Sequence, residues 1–266
     1  MANDNPFMLV DDKEVAKRKR ERLFRYGKNK NIICITDTRA TLKNEWRTDS
    51  KLVDAIGRVP GAGLAEIVVD ASEGFLPLWA EHSTLRWRFN ELSMQAFADP
   101  AAAKRSLEAL FLEAVGRWDT ACPVKFVRDD ARYDFEIVMR SQKRCSTNGC
   151  VLAAAFFPDG GQHEIEIYPS MFEQTKEEQL ETLVHEIGHV FGLRHFFALI
   201  SETAWPAIVY GKHKKFSIMN YGSDSRLTPA DKADLKKLYK NVWSGKIAAL
   251  NATPVRLMRP FSSQFL

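Results

Sequence analysis

The sequence predicts an α+β fold: a twisted mixed sheet carrying the main helices, with a groove between a larger N-terminal part and a smaller C-terminal one. Three observations lead there. Strand-length apolar or alternating segments recur at 85–89, 123–128, 135–140, 151–157 and 163–168. Helical periods over 100–118 and from Thr175 onward flank those strands, and the second stops at Gly192. A third helix then starts at Thr228, so the chain after Gly192 forms the smaller half.

Residues 1–80 hold a basic start, a strand-like stretch from Asn31 to Thr36, and Ile67-Val68-Val69 after the turn Pro60-Gly61-Ala62-Gly63. Two readings stand for this extension: a prosegment shielding the groove, or a structural elaboration packed on the domain that follows. From Leu85, apolar Leu85, Trp87 and Phe89 alternate with Arg86 and Arg88, the period of a half-buried strand. Asp99 caps the next helix and Pro100 opens it, while Ala103, Leu107, Leu110, Phe111, Ala114 and Trp118 keep helical period to its end. Thr175 with Glu178 spells a capping box, and Leu180, Val184, Ile187 and Phe191 make an apolar stripe. Residues 196–216 read as a loop. Thr228 caps the last helix with Pro229 at its first position, and 246–266 read as a tail.

The chemistry sits in the run His185-Glu186-Ile187-Gly188-His189-Val190-Phe191-Gly192-Leu193-Arg194-His195. Residues four apart lie on one helix face, so His185 and His189 can aim at one ion. A continuous helix would carry His195 about 15 Å along the axis from His185, out of reach. Gly192 lacks a Cβ, can take the left-handed conformation that ends a helix, and turns the chain back to deliver His195. Three histidines leave a fourth tetrahedral position for solvent, the mark of a catalytic Zn2+ site. Glu186, beside the first ligand, is placed as general base.

HExxHxxGxxH resembles the metzincin clan of zinc endopeptidases, and Ser217-Ile218-Met219-Asn220-Tyr221 resembles that clan's methionine turn. The resemblance implies a zincin-like fold of five strands and three main helices with one zinc in the cleft. It puts Met219 beneath the imidazoles. The Met-x-Tyr form is similar to astacins and serralysins, which implies an oxyanion-stabilising role for Tyr221, with a tyrosine buried for packing as the equal alternative. Upstream, Leu85 to Phe89, the helix ending in Trp118, Pro123 to Phe126, Phe135 to Met139 and Ala153 to Pro158 follow matrixin order, as does Leu227 to Tyr239. By that likeness Ala153, Ala154 and Ala155 lie on the strand that pairs with substrate, and the catalytic domain covers 81–245. Its upper subdomain ends at Gly192.

Departures are also visible. The chain lacks the Pro-Arg-Cys-Gly propeptide motif, and Cys34 sits in a strand-like segment, so it is given no switch role. Cys145-Ser146-Thr147-Asn148-Gly149-Cys150 replaces the loop that binds structural ions in matrixins. Only His163 echoes a structural ligand there, so neither a second zinc nor a structural calcium is supported. Phe196, after the third histidine, matches none of the branches named.

At 266 residues, 45% hydrophobic and 27% charged, the chain can bury one full core, and no apolar run spans a membrane. The family likeness points to an extracellular setting, yet the first thirty residues lack a secretory apolar region. Net charge is +4, with nine Lys/Arg against four acids in residues 11–30. That run reads as a solvated helical or disordered tail, and no nucleic-acid partner is expected. Cys145 and Cys150 flank an Asn-Gly turn closely enough to bridge, and reduced thiols are the equal alternative. The expected activity is cleavage of protein or peptide substrates. A catalytically silent peptide-binding relative, or a zinc amidase or exopeptidase on small substrates, are the competing readings.

Overall fold

The structure is a computed structural model that describes residues 6–7, 32–33, 66–70, 74–146, 149–195, 207–211, 217–219 and 225–265. The basic run, Cys34, Phe196 and Tyr221 lie outside the described residues, apart from the two-residue β1 beside Cys34. The chain runs through β1 (Ile32–Ile33), β2 (Glu66–Asp70), β3 (Leu76–Trp79) and β4 (Thr84–Phe89) into α1 (Glu91–Met94) and α2 (Pro100–Trp118). Next come β5 (Lys125–Arg128), β6 (Phe135–Met139), β7 (Cys145–Ser146), β8 (Gly149–Val151), β9 (Ala153–Ala154), β10 (His163–Ile167) and α3 (Lys176–Val190). β11 (Leu193–Arg194), β12 (Ala207–Gly211), α4 (Pro229–Trp243), β13 (Ala249–Leu250) and β14 (Thr253–Met258) complete it.

The main sheet has the order β5-β4-β6-β10-β9. Its first four strands are mutually parallel, and β9 runs antiparallel along the edge. This is the mixed five-stranded sheet expected, with α2, α3 and α4 as the three main helices. A parallel step from β4 to β5 needs a crossover, and α1 with α2 supplies it. In β4, Leu85, Trp87 and Phe89 are buried while Arg86 and Arg88 are half-buried on the other face, as the alternation predicts.

Local chemistry accounts for the helix starts. Asp99 accepts from the Ala102 N–H at 2.9 Å, and Pro100 leads the helix, where its missing N–H removes no bond. All six residues of the predicted α2 stripe are buried, and Trp118 donates its indole N–H to the Val184 carbonyl at 3.1 Å. Thr175 and Glu178 form the capping box on α3, and Thr228 with Asp231 repeats it on α4.

Three small sheets differ from expectation or add to it. The strand expected at 151–157 divides at Leu152: Val151 pairs with Ile33 in the sheet β1-β8-β7, whereas Ala153–Ala154 join β10. Ala155 follows β9. Cys145 and Cys150 are opposite one another on β7 and β8 and form a disulfide, which decides between the two thiol states. A second sheet, β11-β2-β12, combines residues 66–70 with the chain after α3, so part of the span 196–216 read as loop is strand. In the third, β14 pairs in parallel with β3. The segment read as a tail thus returns to the domain, and Ser262 donates from N and Oγ to the buried Asp134 carboxylate at 2.6 and 3.0 Å.

Candidate metal centre

The site is built where α3 ends. Its apolar stripe of Leu180, Val184, Ile187 and Phe191 is buried in the core. Helix geometry turns His185 and His189 to another face. Val190 is the last helical residue, and Gly192 follows with φ +87°. A Cβ there would meet the Pro77 carbonyl oxygen at 3.1 Å and Leu78 at 3.2 Å. Both the left-handed turn and the close approach of β3 therefore require glycine. Beyond it, Leu193 and Arg194 form β11 and bring His195 back to the helix.

All three imidazoles are buried, and one nitrogen from each lies within 4.8 Å of the others. Nε2 of His185 is 3.1 Å from Nε2 of His195 and 3.2 Å from Nε2 of His189. Two ligands placed 2.0 to 2.1 Å from a tetrahedral zinc are about 3.3 Å apart, so the spacing fits the ion. The outer nitrogens confirm which atoms are offered. Nδ1 of His185 donates to the Ile218 carbonyl and Nδ1 of His189 to the Leu193 carbonyl, each at 2.7 Å. A carbonyl only accepts, so both Nδ1 atoms carry the proton and both Nε2 lone pairs point inward. Lone pairs gathered this closely repel unless a cation or proton lies among them. The donor set suits a divalent metal.

Met219 is buried next to Ile218, and its sulfur would lie 2.5 Å from a Cβ at Gly188. The helix thus lacks a side chain where the methionine presses between the positions of the two helical histidines. Sequence reading assigned Met219 a supporting role but gave Gly188 none. Asp231 ties this turn to α4. Burial holds its carboxyl above the usual range, against the opposing pull of donors on Thr228, Ser217 and the Ile218 N–H. Glu186 is buried one residue after His185. Phe157 stands edge-on to His189, with ring centroids 5.5 Å apart. Tyr221 lies outside the described residues. Ala153 and Ala154 are on the edge strand of the main sheet, and Ala155 just after it.

Residues far from the motif hold the end of α3. Trp79 donates its indole N–H to the Val190 carbonyl at 2.7 Å, and Tyr239 donates its hydroxyl to Phe191 at 3.0 Å. The Tyr239 hydroxyl accepts in turn from the Trp79 N–H at 3.3 Å, and Trp243 donates to the Trp79 carbonyl at 3.0 Å. The bonds to Val190 and Phe191 satisfy carbonyls that a helix leaves open at its C-terminus, and the other two hold Trp79 and Tyr239 in place. Complete burial raises the Tyr239 pKa well above the phenol range, so it remains a donor. His163, the one echo of a structural ion site, stacks on Phe156 at 4.5 Å instead of joining a second ligand group among the described residues.

The matrixin family matches residues 78–240, more than half of the chain. No curated protein matches. The solved structure of myroilysin is similar at 12% identity and a TM-score of 0.44, covering 65% of this chain and 98% of that one. Among the described residues no helix is long and apolar enough to cross a membrane. With the family's sheet, helices and histidine triad in place, the chain belongs to the matrixin family of metzincin-type metalloproteases.

Proposed function

We propose that the chain is a zinc endopeptidase that hydrolyses peptide bonds in proteins, with His185, His189 and His195 as ligands and Glu186 as general base. One observation carries the reading: three buried Nε2 atoms converge, two of them oriented by backbone carbonyls 2.7 Å from the opposite ring nitrogen. Zinc bound there supplies Lewis acidity, which acidifies water and polarises a scissile carbonyl. Glu186 takes the proton of the attacking water on its carboxylate and passes it to the amine nitrogen as the C–N bond breaks. The edge at Ala153 and Ala154, continued by Ala155, accepts a peptide backbone as an added antiparallel strand. Met219 supports the ligands, and Tyr221 donates a hydrogen bond to the developing oxyanion. The residues given these roles all lie within 81–245.

Peptide-library cleavage by wild type and Glu186→Gln, each with measured zinc, tests this. Both should bind one zinc, and the variant should lose about 100-fold or more of kcat/KM. Zinc-loaded wild type that cleaves nothing in a library of varied length and sequence would favour the silent peptide-binding reading, and equal activity of the two would remove Glu186 from the mechanism.

A further inference from the structure

The sheet that delivers the third histidine takes its middle strand from outside the family match. β11 is two residues long, lies at an edge of the sheet β11-β2-β12, and has β2 as its only strand partner among the described residues. Val69 stands opposite Leu193, and Val68 opposite Arg194. β2 covers Glu66–Asp70, ahead of residue 78 where the matrixin match begins. Its other edge is closed by β12, paired from Ala207 to Gly211, and α4 packs against it. Residues 66–70 are therefore inside the lower half of the domain.

What β11 carries makes this matter. The Leu193 carbonyl accepts the Nδ1 proton of His189, and His195 is the next residue after Arg194. One two-residue strand thus sets the tautomer of the second histidine and the position of the third. Leu193 and Arg194 are both buried, and among the described residues the backbone of this short strand takes its ladder from β2. We infer that Glu66–Asp70 is a positioning strand for the metal ligands, a fixed part of the centre supplied by the N-terminal extension. The inference rests on the metal reading proposed above. It divides the extension: a maturation cut before Glu66 leaves the centre intact, while loss of 66–70 dismantles it.

Linkage makes the strand testable in the unaltered protein, because whatever the strand adds to metal affinity the metal must return as strand stability. Hydrogen exchange of zinc-loaded and chelated wild type should show residues 66–70 and 193–195 protected together. Chelation should lower protection of both by about tenfold or more. Adjacent strand residues turn their backbone groups to opposite edges, so one of Val68→Pro and Val69→Pro cuts the ladder to β11 and the other that to β12. The proline facing β11 should weaken metal binding, measured against a chromophoric chelator, by about 10- to 100-fold and perturb the visible spectrum of the cobalt-substituted protein. Val68→Thr keeps the N–H and should bind metal within about twofold of wild type. Bound metal with residues 66–70 exchanging freely would overturn the inference, as would folded proline variants that both keep wild-type affinity. Should the prolines fail to fold, the exchange result on wild type decides. A wild type that binds no metal would instead sink the function proposed above.

Discussion

At the scale of single residues, Gly188 offers a sharp contest between two opposing effects. Alanine in a helix interior is favoured over glycine by about 1 kcal/mol. Here the added methyl would lie 2.5 Å from the Met219 sulfur and 3.4 Å from Trp118, both buried, and overpacking of that kind costs about 1–3 kcal/mol. Gly188→Ala should therefore destabilise the protein in denaturant unfolding, and a double-mutant cycle with Met219→Ala should recover part of the loss. A more stable single variant would mean that the methionine is not pressed onto the helix. Cys122 gives a second residue-level expectation. Burial pushes its thiol up to about 11, against a weaker opposing backbone hydrogen bond at Val124. In a Cys34→Ala background the folded protein should thus react with no equivalent of a thiol reagent at pH 8 within minutes, and with one after denaturation. Rapid native reaction would show that the half-buried thiol ionises in the ordinary range. Of these positions, sequence disclosed the three candidate ligands because spacing puts two of them on one helix face and Gly192 turns the chain back to the third. It left Gly188 silent because a glycine's reason is the atom it admits, and that atom comes from a segment 31 residues away.

Elements were legible where their determinants are local. The period of α2, the alternation of β4, the Thr175–Glu178 capping box and the Thr228 cap depend on residues within a few positions of one another, and each is in place. The strands β2 and β14 are different. Each pairs with a partner more than a hundred residues away, so nothing nearby in the chain announces the sheet it joins. The same holds for Trp79 and Tyr239, which meet at the end of α3 from opposite ends of the domain. Where the methionine turn docks on α4, the join between elements is a buried carboxyl and has a pH signature. Asp231 has its pKa raised by burial, so its contribution to stability is full below its unfolded pKa of about 3.9 and is lost as pH rises through the folded value. Asp231→Asn cannot ionise. The melting temperature of the variant minus that of wild type, both in chelator, should rise as pH goes from 4 toward 7. A flat difference would mean that folding leaves the ionisation of Asp231 unchanged, and a falling one that the folded protein favours the charged form.

Across the whole molecule, the C-terminal segment and the metal centre form one mechanical chain. β14 lies in parallel on β3, β3 ends in Trp79, and the Trp79 indole holds the last carbonyl of the helix that carries two of the candidate ligands. Farther along, Ser262 supplies two donors to Asp134, whose Oδ2 also accepts from the Arg86 N–H on β4 at 2.6 Å. Ending the chain at residue 245 would remove the β14 ladder and both Ser262 donors while leaving Asp134 without them. An unsatisfied buried donor or acceptor costs about 1–3 kcal/mol, and more when the group is charged. The shortened protein should lose at least about 3 kcal/mol in denaturant unfolding, a large part of the stability of an ordinary domain. Its weakened hold on Val190 should also reach the ligands. Because metal binds the folded form, zinc stabilises by RT ln(1 + [L]/Kd), and a looser centre gains less from the same zinc concentration. The rise in melting temperature between chelator and added zinc should therefore be smaller for the shortened chain than for the full one. Equal zinc-dependent shifts with equal unfolding free energies would make the C-terminal return an attachment without consequence. Lower stability with an unchanged zinc shift would instead confine its effect to the upper sheet and uncouple Trp79 from the metal.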